Sequence, residues 1–177
     1  MKFGELEFVE LGTAGSDLLS KPTQQSIEKN KLGSVLVSEI DPNLSDTAAF
    51  CEKYQVEPSV CANCVIVAAS RGERTWFAAV MIGGDKRADI NGVVRRHLDA
   101  KKISFAPMAQ AIELTGMEFG AINPIGLPDD WPILVDSSVA RLPHAIIGSG
   151  IRQSKLLVSG DLLANLSGAM VLNLEKI

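Results

Sequence analysis

Five residues with special backbone behaviour, Gly116, Gly120, Pro124, Gly126 and Pro128, fall within thirteen positions of the chain. Glycine lets a backbone take positive φ or come close to a ligand, and proline fixes the turns in between. Such a segment can aim peptide N–H and C=O groups into a pocket, where N–H groups hold an anion or stabilise charge developing on a carbonyl oxygen. The same cluster also suits a plain crossover loop, and spacing alone does not separate the two readings.

The remaining reactive side chains suggest less. Cys61 and Cys64 form a C-x-x-C without a second pair. Only Cys51, His97 and His144 are left to complete a tetrahedral metal site, none at a standard spacing, so the cysteines read as small buried hydrophobes. The two histidines read as packed or surface residues, and no serine, histidine and acid arrangement is legible. From Asp85 to Lys102 the chain carries Lys86, Arg87, Arg95, Arg96, Lys101 and Lys102 against Asp85, Asp89 and Asp99. That is either a solvated helix face or a local contact for phosphates.

These residues need elements to place them. Pro22 opens a helix expected to stop at Gly33. GSVLVSEI reads as a strand closed by Asp41-Pro42, and Ser45 or Asp46 caps a helix running to about Tyr54. CVIVAA and TWFAAVMI flank a polar segment around Gly72 and read as a central hairpin. After Asp89, the residues Ile90, Val93, Val94 and Leu98 share one helical face. A short strand at Ile103 to Phe105 precedes a helix that starts at Pro107 and ends at Gly116. Beyond the Gly/Pro segment, PILVD, HAIIGSG, SKLLVSG and AMVLNL supply strands, with a helical turn after Asp136 and a helix near Asp161 to Leu166. Asp136 suits the cap of that turn. Met108, Met117 and Met170 read as core fillers. The alternation predicts an α/β (α+β) single domain, with one mixed central sheet flanked by helices.

Composition agrees with one core. The chain has 177 residues, 46% hydrophobic, 21% charged and 5% aromatic, a balance that fits neither disorder nor a fibre. A net charge of −4 argues against gripping long DNA, because phosphate neutralisation supplies most non-specific affinity; a local contact with an RNA end stays open. The amino terminus lacks the parts of a signal peptide and no apolar run approaches a membrane span. Three cysteines read as reduced thiols, so the expected location is the cytoplasm.

The Gly/Pro segment, Thr115 to Pro128, TGMEFGAINPIGLP, resembles the signature loop of the YbaK/EbsC family of aminoacyl-tRNA deacylases, in which a glycine, three variable residues and a proline recur. Gly120, Ala121, Ile122, Asn123 and Pro124 supply that pattern. GGDKRADI is similar to the family's turn into a helix and places Arg87 and Asp89. PILVDSSV is similar to its P-V-L-V-D strand and places Asp136, and IIGSGIRQSKLLV to its glycine-rich strand pair, placing Gly148, Ser149 and Gly150. The matching blocks cover about Ser34 to Leu166 in order.

The resemblance implies a YbaK-like fold over 34–177, with 1–33 as an extension packing on it, and hydrolysis of the ester in a mischarged aminoacyl-tRNA. It implies water as nucleophile, no cofactor and no metal, and a monomer or homodimer. The partner is the acceptor end of an aminoacyl-tRNA, and the local basic charge between Asp85 and Lys102 makes Arg87, Arg95 and Arg96 its expected contacts. Gly120, Pro124, Asp136 and Asn63 become the expected catalytic positions. Ala121, Ile122, Asn123, Gly148, Ser149 and Gly150 become the expected substrate contacts. Asn63 departs from the family, whose active members carry a lysine there. Exchanging an ionic contact for a neutral amide costs on the order of a few kcal/mol of transition-state stabilisation. The alternative reading is therefore a catalytically silent module that binds an aminoacyl or nucleotide-like ligand. Lys86, Lys101 and Lys102 are the cations that could reach the pocket in its place.

Overall fold

A computed structural model of the chain describes residues 1–12 and 17–176. Its centre is the long hairpin of β5 (Ala62–Arg71) and β6 (Arg74–Gly83), paired antiparallel from Ala62 opposite Gly83 to Arg71 opposite Arg74. The turn needs a residue at positive φ, which Gly72 provides at 61°. On one side β7 (Lys102–Phe105) pairs antiparallel with β5. On the other, β8 (Ile133–Asp136) runs parallel to β6 and β11 (Ala169–Leu172) parallel to β8. The order of this five-stranded sheet is β11-β8-β6-β5-β7.

A second sheet is antiparallel throughout, in the order β3 (Val9–Glu10), β4 (Leu36–Glu39), β10 (Ser154–Val158), β9 (Ala145–Gly148). A two-stranded ribbon, β1 (Lys2–Phe3) with β2 (Leu6–Glu7), lies outside both. The α/β single-domain class stands, but the strands divide between sheets where one central sheet was expected. The reason lies in burial. Alternate residues of β9 and β10 enter different cores: Ala145, Ile147, Leu156 and Val158 join the largest one, while Ile146 and Leu157 join a second one with Phe50 and Cys61. A strand covered on both faces reads as a continuous apolar run, so its sequence does not tell which sheet it joins. The two sheets touch at a parallel bridge between Cys61 and Ile146.

Helix α1 (Lys21–Asn30) carries a proline in its first turn and ends at Lys31 in the left-handed conformation, two residues before the expected Gly33. There the Leu32 N–H reaches back to the Ile27 carbonyl, closing the end without a glycine. Helix α2 (Thr47–Tyr54) begins after Asp46. Asp89 accepts hydrogen bonds from Gly92 N and Val93 N and so caps a π-type turn, Ile90–Val94, continued by α3 (Arg95–His97). Helix α4 (Met108–Thr115) ends at Gly116 with φ 66°. Two short helices, α5 (Ser137–Ala140) and α6 (Gly160–Ala164), follow. Met117 is a core residue, but Met108 and Met170 are exposed. Met108 starts a surface helix and Met170 lies on the edge strand β11, where it and Val171 are both exposed. Among the described residues no helix is long and apolar enough to cross a membrane.

Candidate functional site

A cavity of about 560 Å³ opens where the two sheets meet. One wall is the start of β5, Cys61 to Ile66, and the facing wall is Ile146 to Gly148 of β9. Helix α2 and the residues before it contribute Ser45, Asp46, Thr47 and Phe50; Gly120 and Ile122 come from the Gly/Pro loop. Phe105, Met108 and Phe119 also line it and are 64%, 54% and 49% exposed, so the mouth has an apolar rim open to solvent.

The loop's shape follows from its residue types. Gly120 has φ 84°, and a Cβ there would meet the Arg152 guanidinium at 2.5 Å. Pro124 and Ala121 are buried beneath it. Asn123 is fully buried; its Oδ1 accepts from Ile125 N at 2.8 Å and its Nδ2 donates to Thr23 Oγ1 at 3.0 Å. The Ala121 carbonyl accepts from Gly150 N at 2.8 Å, and the Gly150 carbonyl accepts from Glu118 N at 2.9 Å, fastening loop to strand. Gly148 permits that approach, since a Cβ there would lie 2.2 Å from the Ala121 carbonyl oxygen. The Ser149 hydroxyl, also buried, donates to the Ile151 carbonyl at 2.9 Å. The Ala121 N–H is taken by the Glu118 carbonyl at 3.0 Å. Among the described residues the flanking N–H groups of Gly120 and Ile122 have no intramolecular acceptor. Two backbone donors thus remain on residues that line the cavity.

Asn63 lies on the opposite wall. Its Oδ1 accepts from Thr47 Oγ1 at 2.7 Å, which sets the amide orientation and leaves its Nδ2 donors without an acceptor among the described residues. Burial pushes the Cys64 thiol up to about 12 and raises those of Cys51 and Cys61 as well, so all three are neutral, weakly reactive side chains. Cys51 and Cys61 touch through their sulfurs at 3.7 Å. Among the described residues no group of three His, Cys, Asp or Glu side chains gathers as a metal would require.

The structure thus brings Asn63, Gly120, Ile122 and Gly148 to one cavity. Ala121, Asn123, Pro124, Ser149 and Gly150 do not line it; they hold the loop and strand in shape from behind. Asp136 is elsewhere. It is 2% exposed, its Oδ1 accepts from the Ser138 N–H at 2.8 Å and from the Ser138 hydroxyl, and its Oδ2 accepts from Leu174 N at 2.8 Å. Burial alone would raise its carboxyl, but the bonds from Ser138 and Leu174 outweigh that and hold it below the ordinary value. The cap offered by the sequence is its observed place, because α5 starts directly after β8 and needs an acceptor there. Arg87, Arg95 and Arg96 are exposed and none lines the cavity. The π-type turn that leads into Arg95 and Arg96 packs through Ile90 and Val94 on Val67, Val80 and Leu134, side chains on the sheet face away from the largest core, and Arg87 precedes it. Lys86 pairs with Glu175, and neither it nor Lys101 or Lys102 lines the cavity.

A different lysine does. Lys155, in the middle of SKLLV, is 7% exposed and lines the cavity; its Nζ donates to the Ser45 carbonyl at 2.7 Å and lies 5.3 Å from the centre of the Phe50 ring. The signal in the sequence is a single cation inside an apolar run that proves to be buried on both faces.

Compared with known proteins, residues 41–166 match the aminoacyl-tRNA editing domain. The proline–tRNA ligase of Listeria monocytogenes is 30% identical over 71 residues, 40% of this chain and 12% of the ligase. That of Bacillus licheniformis is 26% identical over 162 residues, 81% of this chain and 27% of the ligase. The chain therefore spans only a small part of the curated relatives it matches. Its fold is similar to a crystal structure described as a candidate trans-editing enzyme for prolyl tRNA synthetase, with a TM-score of 0.76 at 18% identity, covering 95% of this chain and all of that one. With the family's domain matched over well more than half its length, the chain belongs to the aminoacyl-tRNA editing domain family.

Proposed function

We propose that the chain is a freestanding editing hydrolase of the cytoplasm, which removes a small, wrongly attached amino acid from the terminal ribose of a tRNA. The observation that carries this reading is the pairing of the family's loop with unengaged donors across one cavity. Gly120 and Ile122 offer backbone N–H groups on one wall, and Asn63 offers an amide anchored by Thr47 on the other. Ester hydrolysis needs a positioned water and donors aimed at the carbonyl oxygen as it gains charge, and a dry, shaped site makes each donor more effective. Asn63 would orient the carbonyl or the water. Gly120 and Ile122 would receive the oxyanion, and Gly148 would let the loop that carries them seat against β9. Ala121, Asn123, Pro124, Ser149 and Gly150 act from behind as supports, and Asp136 acts only by tying the end of β8 to the backbone at Leu174. Asp46, whose carboxylate makes no capping bond at the start of α2, is available at the cavity for the substrate's ammonium group. The apolar rim suits the unpaired bases of a tRNA end, which proteins hold by stacking on aromatic rings.

A binding module without chemistry is favoured by one feature, the neutral Asn63. Purified protein assayed against a panel of mischarged tRNAs, with Asn63→Lys alongside, separates the two. Release of an amino acid from any member by the unmodified protein supports the hydrolase. Tight binding with no release from any member sinks it in favour of the module.

A further inference from the structure

Lys155 is an ammonium group held inside the protein with no carboxylate bonded to it. The two ion pairs among the described residues are Arg71–Asp99 and Lys86–Glu175, and neither includes it. The charged and titratable groups facing it from neighbouring elements are Asp46 before α2, Arg152 before β10, and the thiols of Cys51 and Cys61, which burial keeps neutral. Of its three N–H donors, one reaches the Ser45 carbonyl. Burying a cation is costly unless its remaining donors find oxygen acceptors. The space beside it is the cavity. Its position there is also set by register: on β10 it pairs with Gly148 of β9, and Ser45, whose carbonyl it holds, donates its own hydroxyl to the Gly120 carbonyl at 3.0 Å. A single residue therefore joins the ammonium to the loop that offers free backbone donors.

We propose that Lys155 is the catalytic cation of this site, and that its uncommitted N–H donors take the acyl carbonyl oxygen of the bound aminoacyl ester. This rests on the hydrolase reading. In the first step the oxygen of water bonds to the carbonyl carbon and the carbonyl π pair moves to its oxygen, whose charge the ammonium stabilises without giving up a proton. On collapse that pair re-forms the carbonyl, the bond from carbon to the ribose oxygen breaks, and the ribose oxygen takes one proton that came from the water. The amino acid leaves as its carboxylate, with the other water proton released to solvent.

The experiment compares the full chain with Lys155→Met and Lys155→Arg. Methionine keeps the length and fills the apolar surroundings, so a folded variant is expected, with a Tm at or above that of the unmodified protein. Turnover on the hydrolysed tRNA should fall in Lys155→Met on the order of 100-fold in kcat with a small change in KM, as for loss of one oxyanion donor. The Arg variant should recover part of it. In the unmodified protein, activity corrected for spontaneous ester hydrolysis should fall with rising pH below the ordinary lysine range, because burial favours the neutral amine. A Met variant within twofold of the unmodified kcat overturns the proposal. Calorimetry with a nonhydrolysable aminoacyl amide of 3′-amino-adenosine gives a second readout. If no tRNA in the panel is hydrolysed, the hydrolase reading fails and binding still decides Lys155: a tenfold or greater loss in the Met variant supports its contact with the acyl group. Equal affinity overturns it, as does no binding by the unmodified protein.

Discussion

Asn63 is held by a hydroxyl from another element, so two substitutions test one arrangement. Asn63→Ala removes the amide, and a drop in kcat/KM of about 10- to 100-fold is expected, in line with loss of a hydrogen bond to a reacting group. Thr47→Val keeps the shape but frees the amide to rotate, so a smaller loss is expected with Tm nearly unchanged. Equal activity in all three proteins would remove Asn63 from the chemistry. Asp136 makes a contrasting case, in which a site candidate is structural. Its carboxyl is held below its ordinary value, so its contribution to stability is complete above about pH 4 and is lost as pH falls through the lower folded value. Asp136→Ala should cost about 2 kcal/mol at pH 7, from unmet N–H groups and a lost cap. In urea titrations the difference from the unmodified protein should narrow towards pH 2, and catalysis per folded molecule should stay intact. A specific loss of kcat in the folded variant would return Asp136 to the site.

At the level of elements, the cavity depends on the Gly/Pro loop lying flat against the end of β9. Gly148→Ala would press a methyl group into the Ala121 carbonyl oxygen, which also accepts the Gly150 N–H. Relief requires the loop to lift, at about 1–3 kcal/mol for such overpacking. The expected result is a Tm several degrees lower together with loss of turnover, because Gly120 and Ile122 move with the loop; full activity at a lowered Tm would show that loop position does not matter. This loop was legible in the sequence because glycine and proline act locally: their spacing marks turns whatever surrounds them. The hairpin, and the ends of most helices, were legible for the same reason. Lys155 was not. In SKLLV a lysine normally points to solvent, and whether it does here depends on α2 and Phe50 covering that face of β10, a long-range arrangement. The division into two sheets was hidden by the same double coverage, and Asp136 was ambiguous because a cap and a site carboxylate share one residue type.

Arg152, against the cavity-lining Gly120 and Phe119, and the pair Arg95 and Arg96 hold positive charge in separate places, and a tRNA is large enough to meet both. Arg152 lies against the loop that borders the cavity, its Nε donating to the Pro42 carbonyl at 3.0 Å and its Nη1 to the Phe119 carbonyl at 3.1 Å, without an ion-pair partner among the described residues. Arg95 and Arg96 belong to the helix on the far face of the five-stranded sheet. Terminal nucleotides entering the mouth would meet only the first; the helical part of the acceptor stem would have to curve round the sheet edge to meet the second. Each lost phosphate contact lowers the slope of log affinity against log salt by about 1. Arg95→Glu with Arg96→Glu should therefore weaken binding of full-length tRNA and flatten its salt dependence, yet leave a CCA trinucleotide unaffected. Arg152→Gln should weaken both. If charge reversal on the helix leaves tRNA binding unchanged at every salt concentration, the basic helix is a solvated face and the acceptor end is held at the mouth alone.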